Sequence, residues 1–188
     1  MSKKYELVVD DTIAFWGWKL FRIRALISFG SVDAGDLGGY IYTEDNLSQK
    51  GDAWVSGNAK VWGDAKVWGN AKVSDDALVS GNAKVWGNAK VSDDAKVWGD
   101  AEVSGDAWVS GNAEVSGDAK VSDFEDVIVF KNHWSSGRHF TYTKSNKMWR
   151  VGCFYGTGQE LIDKAYRDSE KSGNFYKAYV EFIASLEG

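Results

Sequence analysis

The stretch VSDDALVSGNAKVWGNAKVSDDAK, residues 73–96, decides the fold. It says nearly the same thing every six residues and returns to VSDDA after eighteen. Valine recurs at every sixth position from 55 to 127, and alanine at every sixth from 53 to 119. A helix needs apolar residues near a 3.6 spacing and finds none here. Between the apolar pairs stand Gly-Asn or Gly-Asp, replaced by Asp-Asp at 75–76 and 93–94. Glycine and asparagine tolerate the left-handed dihedrals of a tight corner. The unit is therefore a short strand, such as Ala59-Lys60-Val61-Trp62, followed by a two-residue corner. Alanine and valine point inward, and the residues beside each valine point outward.

Three such strands and three corners make one triangular coil, so residues eighteen apart stack. Residues 53–126 provide about four coils at a spacing of about 4.8 Å, a prism roughly 20 Å tall. This is a β-solenoid, whose coils bury their faces only against neighbours. Residues 1–50 form an N-terminal β cap, 51–126 the hexapeptide solenoid, and 127–188 a C-terminal α+β module. In the cap, TIAFWGWKLFRIRAL predicts two strands around Gly17, with Phe21, Ile23 and Ala25 on one side and Arg22 and Arg24 on the other. Ile41 and Leu47 are already six apart, and a two-residue slip before Val55 predicts an irregular first coil. In the tail, DVIVF, HFTYT and KMWRVGCFYG each predict one strand, with Cys153 as a buried small thiol. Thr157 and Glu160 form a capping box that starts a helix near Gly158. Ser172-Gly173-Asn174 predicts its end, and a second amphipathic helix follows through Phe175, Tyr179, Phe182 and Ile183.

Net charge is −5 over 188 residues, unevenly spread. The solenoid carries seven Lys/Arg against fourteen Asp/Glu, and the tail nine against six. The acidic balance speaks against duplex nucleic acid as a partner. One cysteine precludes an internal disulfide framework. No apolar run reaches the roughly 20 residues of a spanning helix, and MSKKYELVVDD lacks a signal peptide's apolar core, so no membrane association is expected.

The pattern Val-x-x-x-Ala-x resembles the hexapeptide repeat of left-handed parallel β-helices, and the hand comes from that resemblance alone. FRIRAL, VDAGDLGGYI and NLS, then the repeats, then GCFYGTGQEL resemble a family of hexapeptide-repeat proteins encoded by bacteriophages and prophages. The likeness spans essentially the whole chain. It implies a small accessory protein in the cytoplasm of the infected bacterium. The family supplies no activity to carry over residue by residue. The wider class of left-handed hexapeptide helices commonly forms homotrimers.

Three places could carry chemistry. Asp75 over Asp93 and Asp76 over Asp94 make an acidic corner, open to a cation or a basic partner unless Lys72 and Lys90 offset it. With no third ligand layer, no metal is assigned there. The outward Trp62, Leu78 and Trp98 share one side and Trp68 and Trp86 another, with Trp54 and Trp108 on the third. These aromatics suggest a subunit interface or a grip on a host protein. The third place is KNHWSSGRHFTYTKSNKMWR, residues 131–150, which lies in a carboxylate-free interval. There Lys131, His133, Arg138, His139, Lys144, Lys147 and Arg150 interleave with Trp134, Phe140, Tyr142 and Trp149. Ser135 and Ser136 could add donors. Cations beside aromatic faces are what a small anionic ligand such as a nucleotide needs. The competing reading makes the aromatics this module's own core.

Hexapeptide helices also include acyltransferases, which need a histidine base on or beside the coils. Residues 51–126 contain no histidine, and both histidines, His133 and His139, follow the array. No catalytic residue, cofactor or metal is assigned. The expectation is a non-catalytic binding protein, alternatively an inhibitor of a host protein or a structural scaffold.

Overall fold

In the computed structural model, which describes residues 3–187, the six-residue grammar becomes twelve two-residue strands. One side of the prism stacks β4 (Trp54–Val55), β7 (Lys72–Val73), β10 (Lys90–Val91) and β13 (Trp108–Val109) in parallel register. A second stacks β6 (Lys66–Val67), β9 (Lys84–Val85), β12 (Glu102–Val103) and β15 (Lys120–Val121). The third stacks β5 (Lys60–Val61), β8 (Leu78–Val79), β11 (Lys96–Val97) and β14 (Glu114–Val115). Every alanine and valine of the repeat from Ala53 to Val121 is buried, in one continuous core. Backbone amides bond to carbonyls one coil on, as from Lys60 N to Ala77 O at 2.9 Å and from Trp62 N to Val79 O at 3.1 Å.

The corners are stacked backbone on backbone. A Cβ at Gly87, whose φ is +71°, would lie 2.9 Å from the Gly105 amide nitrogen, so glycine is needed both for its dihedral and for its size. The second corner residue forms side-chain ladders. Asn70 Nδ2 donates to Asn88 Oδ1 at 3.1 Å, and Asn88 Nδ2 donates to Asp106 Oδ1 at 3.0 Å. An asparagine passes the ladder on, and an aspartate, which only accepts, ends it.

About five turns stack, one more than the sequence count, because the solenoid starts inside the first fifty residues. The long β1 (Tyr5–Phe15) and β2 (Trp18–Ala25) form an antiparallel hairpin, turning at Trp16 and Gly17 with φ of +47° and +83°. Positive φ at both central residues matches the twist of the flanking strands. β3 (Leu37–Ile41) pairs antiparallel with β2 and parallel with β5, giving a seven-stranded third side. The glycines of GDLGGYI permit this join. A Cβ on Gly39 would lie 2.6 Å from the Ala59 carbonyl oxygen. In β2, Ile23 and Ala25 are buried as expected, whereas Phe21 is only half-buried. The slip is absorbed where Leu47 pairs with Val67, twenty residues on, before Val55 and Val73 restore the spacing of eighteen.

Side chains finish the ends. The carbonyl of Ala53 accepts from Lys4 Nζ at 2.8 Å, and that of Ala65 from Asn46 Nδ2 at 2.8 Å. At the far end Glu114 N donates to Thr141 Oγ1 at 2.9 Å and Lys120 N to Ser145 Oγ at 2.8 Å. The tail thereby occupies the place of a further coil.

That tail is a four-stranded antiparallel sheet under two helices. Its strands β16 (Val127–Lys131), β17 (His139–Thr143), β18 (Met148–Val151) and β19 (Phe154–Thr157) lie in sequence order. KMWRVGCFYG is thus two strands, turning at Gly152, and Cys153 is exposed in the turn instead of buried. Thr157 caps α1 (Gly158–Asp168) with the expected reciprocal box, and its amide and hydroxyl hold the Glu160 carboxyl below the usual carboxylate range. The helix ends earlier than expected, at Ser169. α2 (Glu170–Glu187) runs straight through Ser172-Gly173-Asn174. Gly173 is buried against the Tyr166 ring where no Cβ fits, so it serves close helix crossing and not a break. Tyr176 and Ile183 face inward, whereas Phe182 is exposed.

Candidate functional site

Local packing claims most of residues 131–150. Phe140, Tyr142 and Trp149 are buried, as the competing reading expected. Trp134 joins them, stacked on Phe175 with centroids 4.6 Å apart and edge-on to Tyr176. His133 packs edge-on against Trp134 and Phe175. Ser135 donates through both amide and hydroxyl to Asn132 Oδ1, and the Ser136 hydroxyl accepts from Arg138 N. Lys144 pairs with Glu125 at 3.6 Å, Lys147 with Glu187 at 3.5 Å and Arg150 with Glu114 at 3.5 Å. Lys131 lies at the end of β16, opposite His139. The ten residues therefore do not converge on one site. Arg138 and His139 alone of the ten line a groove of about 660 Å³, and its other wall carries Asp76 and Asp94.

The acidic corner has an internal explanation. Asp75 and Asp93 adopt φ of +60° and +58°, the conformation glycine holds elsewhere. The Asp93 carboxylate accepts from Gly111 N at 2.9 Å, and the Asp75 carboxylate accepts from Ser74 Oγ at 2.7 Å and, at a longer 3.4 Å, from Asp93 N. Each carboxylate thus bonds to the amide of the corner one coil on. Neither Lys72 nor Lys90 pairs with them, contrary to the offset considered from sequence. Among the described residues no group of carboxylate, histidine and cysteine side chains is arranged to hold a metal ion.

The tryptophans sort onto the three sides as the eighteen-residue spacing requires, but not all are open. Trp62, expected to face outward, is only 6% exposed, covered by Phe15 and Trp16 of the hairpin. Leu78 is half-buried beside it, and Trp98 lies beneath the Arg150 guanidinium at 4.9 Å. Trp68 and Trp86 stack face to face, 5.0 Å apart and 3° from parallel, and both stay half-exposed.

A groove of about 800 Å³ runs along the β4–β7–β10–β13 side under the loop around Ser31. Its outward column reads Trp54, Lys72, Lys90, Trp108, beside the serines 56, 74 and 92. On the other sides Lys84 meets Glu102 and Lys96 meets Glu114, each at 3.2 Å, although Lys66, like Lys72, has a lysine one coil on, Lys84. Lys72 and Lys90 have tryptophans and each other as neighbours, so among the described residues neither forms an ion pair. Among the described residues Lys72 Nζ donates only to Ser31 Oγ, at 3.2 Å. Like-charged side chains on strands in direct register, about 4.8 Å apart at the backbone, are unfavourable neighbours, and an anion bound between them would offset the repulsion. Trp108 is 57% exposed, with its indole N–H held on Ser92 Oγ at 3.2 Å. Trp54 at the opposite end is buried under Phe29, 5.4 Å away edge-on. Asp36 and Asp52 line the same end.

Sequence reasoning placed Trp54 and Trp108 on this side but assigned the lysines between them to the acidic corner. The missed signal was the column itself, read at a spacing of eighteen. Compared with protein-family models and with the curated proteins, the chain matches none.

Proposed function

We propose that this protein is a non-catalytic binding protein that captures a small anionic ligand, of which a nucleotide is the concrete case, in the Lys72–Lys90 groove. One observation carries the reading: two lysines on strands in direct register, neither in an ion pair, beside hydroxyls and an open indole. Ammonium groups take phosphate oxygens as charge-assisted acceptors, and an indole face takes a planar ring. The groove moves from the basic tail, where sequence placed it, to the solenoid. The phage-like end motifs support a role inside an infected bacterium, where sequestering a nucleotide signal would blunt antiphage defence. Three copies associate in this reading through the side that presents Trp68 and Trp86. The test is to incubate the purified protein with a bacterial small-molecule extract, wash it, release the bound fraction by heat and identify it by mass spectrometry. An anion retained by the wild-type chain and lost by Lys72→Glu/Lys90→Glu supports capture; equal retention by both removes this groove from the account.

A second reading, capture of a host protein, has its own observation. Trp16 at the hairpin tip is 72% exposed and borders a groove of about 390 Å³ with Trp62, Leu78, Trp98 and Arg150. Trp16→Asn keeps a turn of type I′ chemistry while removing the indole. Host-protein binding lost in that variant and kept in Lys72→Glu/Lys90→Glu would favour this second reading.

A further inference from the structure

The column of the anion groove has a direction and a fixed length. At its open end lies Trp108, with its indole N–H anchored on Ser92. One strand along is Lys90, and one further is Lys72, at steps of about 4.8 Å. Beyond Lys72 the column stops. Trp54 is buried under Phe29, Ser31 Oγ lies 3.2 Å from the Lys72 ammonium, and Asp36 and Asp52 place negative charge at that end.

We infer that the groove takes a nucleoside diphosphate, lying along the solenoid axis with its ring on Trp108 and its phosphates at Lys90 and Lys72. This rests on the reading of the groove as an anion site. A lone ring has no use for the lysines, and inorganic diphosphate leaves the indole uncovered. A monophosphate stacked on Trp108 reaches the first ammonium and leaves the second unneutralised. A triphosphate would drive its third phosphate into the closed end, where Phe29 covers Trp54, the Lys4 ammonium is already spent on the Gly51 and Ala53 carbonyls, and Asp36 and Asp52 repel it. Ser92 lies beside the lysine column, where its hydroxyl, which accepts from Trp108, can donate to a ribose oxygen. Stacking on an indole tolerates every base, so the geometry selects the diphosphate and not the base.

The test is calorimetric titration of the full chain with ADP, AMP, ATP and inorganic pyrophosphate at one fixed salt concentration. ADP should bind about tenfold or more tightly than AMP, pyrophosphate or ATP. Trp108→Ala should lower ADP affinity to that of pyrophosphate and leave pyrophosphate itself unchanged. Lys72→Met should lower ADP to the level of AMP. Both side chains are exposed, and an unchanged thermal midpoint verifies the fold of each variant. Pyrophosphate bound as tightly as ADP, with no effect of Trp108→Ala, would refute the nucleoside diphosphate and leave the anion site standing. ATP bound as tightly as ADP would refute the closed end. If none of the four binds, the anion site falls as well.

Discussion

Asn46 and Asp126 close opposite ends of the solenoid with the same device. Each is the last residue of a one-turn 3-10 segment and each accepts the amides three and four residues back. Asn46 Oδ1 takes Thr43 N at 2.9 Å and Tyr42 N at 3.1 Å, while Asp126 Oδ2 takes Asp123 N at 3.0 Å and Ser122 N at 2.7 Å. Their chemistry differs where their surroundings differ. Asn46 is buried and spends its amide hydrogens on Gly63 O and Ala65 O, while Asp126 is only half-buried and needs only to accept. Asn46→Ala strands two donors and two acceptors and should lower stability by about 3 kcal/mol or more, against about 1 kcal/mol for Asp126→Ala. Urea unfolding of the two variants measures the difference, and equal losses would contradict it.

Lys4 makes stability depend on alkaline pH. Burial lowers its pKa to about 8, partly countered by the Asp52 carboxylate, while its ammonium donates to Gly51 O and Ala53 O. A lysine whose folded pKa lies below its unfolded value of about 10.4 penalises the folded state while both states are charged. The penalty is relieved as pH rises from about 8 towards 10. The urea midpoint should therefore rise between pH 7.5 and 9.5 by the equivalent of about 1.5 kcal/mol, and Lys4→Met should abolish the rise. Tyr5 and Tyr142, both pushed upward first by burial, oppose it only above about pH 10, where unfolded tyrosine ionises.

The aspartate corners should be nearly interchangeable with glycine. Asp93→Gly relieves a left-handed backbone that costs a non-glycine residue about 1 kcal/mol, and it loses the bond to Gly111 N, of similar size. Thermal unfolding should shift little. Asp93→Ala keeps the strain and loses the bond, so its midpoint should fall clearly below that of Asp93→Gly.

If three copies meet through the side that carries Trp68 and Trp86, light scattering after gel filtration should report a trimer for the wild-type chain. Trp68→Lys/Trp86→Lys should report a monomer with an unchanged β-rich circular dichroism spectrum. A wild-type monomer would remove this part of the proposal.

The solenoid was legible because its code is local and repeated: a valine and an alanine every six residues leave one way to bury both. The sides of the tryptophans followed from the same arithmetic. Their exposure did not, because Trp62 and Trp54 are covered by segments far back in the chain, around Phe15 and Phe29. The basic-aromatic tail misled for a related reason. A charged residue beside an aromatic one in sequence lies on the opposite face of a strand, so the spacing of His139, Phe140, Thr141 and Tyr142 separates what a ligand site must bring together. Lys72 and Lys90 were missed because neither is unusual alone. Their meaning lies in the column as a whole: each lacks the glutamate that Lys84 and Lys96 find one coil away, and the same column carries Trp54 and Trp108.

Native mass spectrometry of the intact protein shows whether the lysine column holds an anionic ligand. The protein is sprayed before and after addition of a pool of linear and cyclic nucleotides, alongside Lys72→Glu/Lys90→Glu. The wild type should gain one nucleotide mass per chain and the variant none. A wild-type spectrum unchanged by the pool, or a variant that gains the same mass, would contradict it.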